Sequence, residues 1–360
     1  MTDRPTTDRK SASAAHPGGG RRDDATRQDA ARDTPQSCPH AAGPLGGIES
    51  NIVRAGQLSA YGSGQFLPPQ ILVDGGTLLF GESADAGNGA IDINSGQAQF
   101  MHQASAGRAW LHVGPDGGLG FEEGAQARQA RIRNDGIMRL TEIEGGTLRV
   151  GSLWGTGTVH LGKAVLEVGA LEEYDPYSGS LSDGCAGGGV RKVGAGTLTL
   201  SGTCLYRGET WVDGGCLRVD GSLHGSPVFV GAGARLAGGG AVSKHCVLEP
   251  GGKLAPASGG RAMQLGRLYA RQGSVLSFSL SPDGVGDRVD VGVLSLEGAL
   301  LDLSGLVPAP RTVLIAYARL EARNLVLGKL PASLRREDVE LEFGDHALTL
   351  VVREAASRYR

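Results

Sequence analysis

Three acidic residues that open one recurring phrase, Asp74, Glu144 and Asp213, are the first candidates for chemistry. A pair of carboxylates can cleave a glycosidic bond when they stand roughly 5–9.5 Å apart. Long and nearly equal stretches of chain separate these three. On a repeating scaffold they would line a corner, too far apart for paired acid–base work. Gly157-Thr158-Val159-His160-Leu161-Gly162-Lys163 has the spacing of a phosphate loop, but Ala164 stands where a Ser or Thr would reach Mg²⁺ and no helical pattern follows. It reads as a glycine turn between two strands. Gly284-Val285-Gly286-Asp287 matches a single calcium-binding nonapeptide, a motif that works in tandem copies. Asp283 and Asp287 therefore read as turn formers. His102 and His112 form the closest histidine pair and lack a third ligand. The sequence predicts no catalytic residue, no metal and no cofactor.

The five cysteines, Cys38, Cys185, Cys204, Cys216 and Cys246, are odd in number and contain no C-x-x-C. Cys204 and Cys216 fall within one expected coil, so a bridge is conceivable. Free thiols are the expectation.

The elements that must hold these residues are written in glycine and in alternation. Glycine supplies 60 of 360 residues, well above the usual share of roughly 7%, and no strict every-third pattern suggests collagen. The excess marks many tight turns between short strands. Leu198 and Leu200 alternate with Thr197 and Thr199, and Leu276, Phe278 and Leu280 alternate with serines. This is the period of a strand with one buried face. Only Val313–Leu327 is ambiguous between strand and helix. The net charge of −3 has both signs well mixed, so no basic stripe points to nucleic acid. The longest apolar runs fall well short of the roughly 20 residues a spanning helix needs.

Residues 1–44 contain no Ile, Leu, Val, Phe, Tyr or Trp but seven basic residues and six Asp. Such a segment cannot offset its chain entropy by burial, and a disordered tail is expected. From 45 to 352 a phrase recurs. Asp74-Gly75-Gly76-Thr77-Leu78 returns as Glu144-Gly145-Gly146-Thr147-Leu148, as Asp213-Gly214-Gly215-Cys216-Leu217 and as Pro250-Gly251-Gly252-Lys253-Leu254. The spacing of the first three copies fits about three coils of roughly 20–25 residues, a solenoid period. A β-sandwich would show hairpin turns about every 8–12 residues instead. The expected fold is all-β, a right-handed parallel β-helix, with Leu78, Leu148, Leu198, Leu200, Leu217 and Val219 inside. Residues 353–360 form a short tail.

Val193-Gly194-Ala195-Gly196-Thr197-Leu198-Thr199-Leu200-Ser201-Gly202 leads through Tyr206-Arg207-Gly208-Glu209-Thr210-Trp211-Val212-Asp213-Gly214-Gly215 to Leu217-Arg218-Val219. This run resembles the passenger-associated β-strand repeat of bacterial autotransporters, the pertactin-like β-helices. The resemblance is strong over 190–352 and general over 45–189. It implies a passenger carried to the cell surface, or secreted, by an outer-membrane β-barrel, with 240–352 as a C-terminal folding nucleus. Many relatives are adhesins or virulence factors. The implied role is a non-enzymatic surface, adhesion or stalk module cut from a longer autotransporter. A polysaccharide-cleaving enzyme and a relic without a role are the alternatives. The expected partner is a host or surface ligand, protein or glycan, and the membrane is engaged only through a barrel the sequence lacks. As written, the chain shows no apolar leader and no barrel, so expressed alone it is expected in the cytoplasm. Thr210 and Val212 match inward positions, which turns Trp211 outward. There it either anchors a partner or a sugar, or packs on a neighbouring coil.

Overall fold

The computed structural model describes residues 52–63, 69–143, 146–256, 261–282 and 286–353. The expected disordered tail (1–44) with Cys38, the end (354–360), Glu144 and Asp283 lie outside the described residues. The described chain is a parallel β-solenoid with three faces per coil. On face A one column of register partners runs Leu58, Leu78, Ala98, Leu119, Met138, Val159, Leu181, Cys204, Leu223, Val242, Leu265, Val291, Tyr317. The step from coil to coil is uneven, short from Cys204 to Leu223 and longer from Leu265 to Val291. Face B carries Leu198, Leu217, Leu236, Leu254, Leu276 and Leu301 in register. Face C carries Val150, Val168, Lys192, Val212, Val230, Leu248, Ala270 and Leu296.

Alternation produces this arrangement. Every second side chain points inward, and stacking puts like beside like from coil to coil. Leu78, Leu148, Leu217 and Val219 are fully buried, and Leu198 and Leu200 nearly so. Phe80, Phe100 and Phe121 form an internal stack, with ring centroids 4.6 and 5.2 Å apart. Val313–Leu327 resolves as strand, part of the 17-residue Arg311–Leu327. A short 3-10 turn lies at Arg336–Asp338.

The recurring phrase does not mark one corner, contrary to the expectation that its acids share one. Leu78 belongs to face A, Leu148 to face C, and Leu217 and Leu254 to face B. Leu78 and Leu148, like Leu148 and Leu217, are thus separated by three coils and one further face. The physical reason is that the phrase encodes a corner followed by a strand, and all corners pose the same problem. Each copy supplies one glycine at positive φ: Gly75, Gly146, Gly215 or Gly251.

The C-terminal end departs from this rule. Ala347–Val352 pairs antiparallel with Arg311–Leu327 on one side and with Val339–Phe343 on the other. Leu348 and Leu350 of this closing hairpin are buried, and the hairpin covers the strand edge that Arg311–Ala316 of the last coil would otherwise expose.

Candidate contact surfaces

Trp211 points outward from face C, as alternation requires, between the buried Thr210 and Val212. It is half-buried because its neighbours are aromatic. Its ring stacks on Phe229 at 4.5 Å and 15°, since the two are register partners in adjacent coils. Phe229 meets His245 edge-on at 5.7 Å, and His245 meets Tyr269 at 6.4 Å. Rings from four successive coils therefore form one row on the outside of the solenoid. The Trp211 indole N–H donates to Glu209 Oε2 at 2.7 Å, which fixes the ring's orientation. The sequence placed Trp211 correctly but not its companions, because register across coils of unequal length is not visible in the chain.

The outward acids are individually engaged. Asp213 accepts from Arg191 in the preceding coil, and Asp74 accepts from Ser95 Oγ at 3.3 Å. Asp74 lies between faces B and A, and Asp213 between faces C and B. Glu249 pairs with Arg271 at 2.6 Å, and Glu173 with Arg131 at 2.6 Å. His102 contacts Glu123 at 2.6 Å, whereas His112 lies 3.3 Å from Asp92 and 3.7 Å from Asp135. The two histidines thus serve separate acidic neighbours. Among the described residues no group of three His, Cys, Asp or Glu is placed to hold a metal.

Other motif residues have structural roles. Thr158–His160 is a short strand, followed by a turn at Gly162 (φ +58°). Asp287 is buried and accepts the Ser279 N–H at 2.8 Å, so it ties a loop to a strand. Cys204 lies on face A and Cys216 on face B, and both are buried free thiols, as is Cys246. Burial pushes the Cys204 and Cys246 thiols up to about 12. Cys185 is exposed and free.

Two charged residues sit where the pattern calls for aliphatic ones. Asp175 takes a rung of the face B column, paired in register with Leu198. It is fully buried, and burial lifts its carboxyl to about 6 although Ser152 Oγ donates to it. Lys192 takes a rung of the face C column between Val168 and Val212. Its ammonium turns into the corner and donates to the carbonyls of Val193 (2.6 Å), Gly194 (3.0 Å) and Gly214 (3.4 Å). Burial pulls its pKa down, while the charge of Asp175 opposes that shift. A perturbed carboxyl in a cleft would suggest an acid catalyst, but Asp175 is sealed from solvent.

A second surface went unread in the sequence. Trp110, 53% exposed, meets Trp154 edge-on at 5.6 Å on the outside of face B. The Arg131 guanidinium lies 5.6 Å from the Trp110 ring centroid. Trp110 pairs in register with Arg131, and Arg133 with Trp154, so the two tryptophans stand two coils apart. Their spacing along the chain, close to twice the coil length, is the signal that could have paired them.

Among the described residues no helix is long and apolar enough to cross a membrane, which says nothing of strands in a barrel. Residues 190–219, which include Lys192 and Trp211, match the passenger-associated-transport-repeat family. An extracellular serine protease of Serratia marcescens is 33% identical over 132 residues, 36% of this chain and 12% of that protein. The adhesin BmaC autotransporter of Brucella suis biovar 1 (strain 1330) is 30% identical over 202 residues, 46% of this chain and 6% of that protein. The chain thus spans a small part of either relative. The repeat, the parallel coils that carry it and the named autotransporter relative agree: this chain is a parallel β-solenoid that carries a passenger-associated repeat and is similar to autotransporter passengers.

Proposed function

We propose that this solenoid works at the cell surface or after secretion, as an adhesive or stalk segment that acts by contact and not by catalysis. The observation that carries this is the row Trp211, Phe229, His245, Tyr269, which crosses four coils on one outer face. Half-buried aromatic rings held rigidly by their neighbours supply contact area at low entropic cost. Asp213 is engaged by Arg191 and Asp74 by Ser95, each in a different corner, which supports the same reading, because acid–base cleavage calls for two carboxylates facing one bond. The protease activity in one relative's name concerns a protein of which the match covers 12%. We assign the shared segment to its supporting solenoid. The ligand on this reading is a host or surface protein or glycan met by the aromatic row. Residues 240–352, closed by the antiparallel hairpin, are proposed as the folding nucleus.

The test is display of the chain on a carrier β-barrel in a non-adherent bacterium. Adherence to epithelial cells should rise, and the double substitution W211A/Y269A should remove most of the gain while surface level and β-type circular dichroism stay constant. Unchanged adherence of the double variant would end the role of the row. Recovery of the displayed chain only inside cells would end the surface assignment.

A further inference from the structure

The outside of the solenoid near residues 103–194 carries two clefts that meet at one side chain. The first, of about 400 Å³, is lined by Gln103, Gln126, Arg128 and Arg149 with small residues between them. The second, of about 580 Å³, is lined by Arg128, Gln129, Glu167 and Leu171 among others. Arg128 belongs to both, so the two form one channel across a corner of the coil. Gln129 and Leu171 are close neighbours in the chain of Arg131 and Glu173, the ion pair beside Trp110. Gln129 accepts from Arg108 Nε at 2.7 Å, two residues before Trp110, so the second cleft reaches the segment that carries the exposed tryptophan. Tyr174, 66% exposed, follows Glu173 on the same face.

We infer that this channel and Trp110 bind an acidic polysaccharide, with the carboxylate of a uronate residue at Arg128. The lining selects the class. Amide, guanidinium and carboxylate groups offer donors and acceptors together, as a string of sugar hydroxyls requires, while Ala170, Leu171 and Val193 give the second cleft apolar ground for the faces of sugar rings. A tryptophan held by the edge of Trp154 and the cation of Arg131 presents a fixed platform to the face of a sugar ring. Charge selects the acid. Glu167 is matched by Arg149 at 3.3 Å and Glu173 by Arg131 at 2.6 Å. Arg128 is exposed and has no carboxylate within ion-pair distance among the described residues. It is the surplus cation of the channel, and a guanidinium binds a carboxylate through two parallel hydrogen bonds. This site lies on coils upstream of the Trp211 row and does not depend on it.

The test is calorimetric titration of the full chain with oligogalacturonate and with a neutral glucan of equal length. Oligogalacturonate should bind at least ten-fold more tightly. R128A should bring its affinity down to that of the neutral glucan, and W110A should weaken it at least five-fold. R323A, which removes the same charge near the C-terminal end, should leave it unchanged. Both site residues are exposed, so circular dichroism should match the parent throughout. Equal affinity for the two glycans, no binding of either, unchanged binding by R128A, unchanged binding by W110A, or an equal loss in R323A would each overturn the proposal. These measurements use no cells, so they stand or fall apart from the adherence assay.

Discussion

Asp175 and Leu198 are register partners in neighbouring coils, so a carboxyl group occupies a rung of an otherwise aliphatic column. The folded chain holds the Asp175 proton more tightly than the unfolded chain does, with a pKa of about 6 against an unperturbed 3.8. Stability from this group is full below the unfolded value and is lost as pH rises through about 6. The loss is on the order of 3 kcal/mol. D175N should therefore match the parent near pH 4 and exceed it at pH 7.5, with urea midpoints at the two pH values as the readout. A constant difference across that range would show that the carboxyl does not titrate inside the fold.

Lys192 binds three carbonyls at the corner that opens the passenger repeat. K192M keeps the aliphatic stem but leaves these carbonyls without their donor and Asp175 without its nearest opposing charge. Removing one member of a buried charged cluster costs about 3 kcal/mol or more. Chemical denaturation should show a loss of that size. A neutral outcome would mean that water replaces the ammonium.

The thiols should divide by burial. In a C38A background Cys185 should react with an aromatic disulfide reagent within minutes in the native state, and Cys204, Cys216 and Cys246 only after unfolding. One fast equivalent and three more in denaturant is the expected count. A native bridge between Cys204 and Cys216 would lower the denatured total by two.

Glycine positions along the corners should differ sharply in tolerance. A Cβ on Gly238 (φ +113°) would stand 2.0 Å from the Val219 carbonyl oxygen of the coil before it, whereas one on Gly233 (φ +75°) meets nothing within 4 Å. G238A should cost about 3 kcal/mol or more, and G233A about 1 kcal/mol from backbone strain alone. Thermal unfolding of the two variants side by side decides whether coil spacing is as rigid as the structure shows.

The proposed nucleus calls for an uneven distribution of protection. In hydrogen exchange on the intact chain, strand amides of Met263–Ala270 and Val289–Gly305 should be the slowest. Uniform protection from Gln70 onward would remove the case for a nucleus at this end.

Much of the fold was written in the order of residues. The alternation around Leu198, Leu217 and Leu276 names its own buried face, and the outward setting of Trp211 follows from Thr210 and Val212. What the sequence hid is the third dimension of the stack. Coils of unequal length make register a product of accumulated turns. No local pattern could therefore bring Phe229 over Trp211, and only the spacing of Trp110 and Trp154, near two coil lengths, hinted that they meet. The same geometry explains why the glycine phrase suggested a single corner when it visits three. Asp175 and Lys192 were concealed for another reason. Their segments, Tyr174–Tyr177 and Gly189–Lys192, carry polar residues at inward positions, and only burial by coils on both sides reveals the departure.

The closing hairpin bears on how such a chain changes length over generations. Parallel coils are interchangeable modules, since each presents the next with the same strand direction and the same columns. Ala347–Val352 runs the other way, so no further parallel coil can be laid upon it. Duplication or deletion of whole coils should therefore fall among the parallel coils ahead of the hairpin and not within it. Lineages of this architecture should vary in the number of upstream turns while the terminal segment stays constant in size, much as a telescoping mast is extended from every section except its foot.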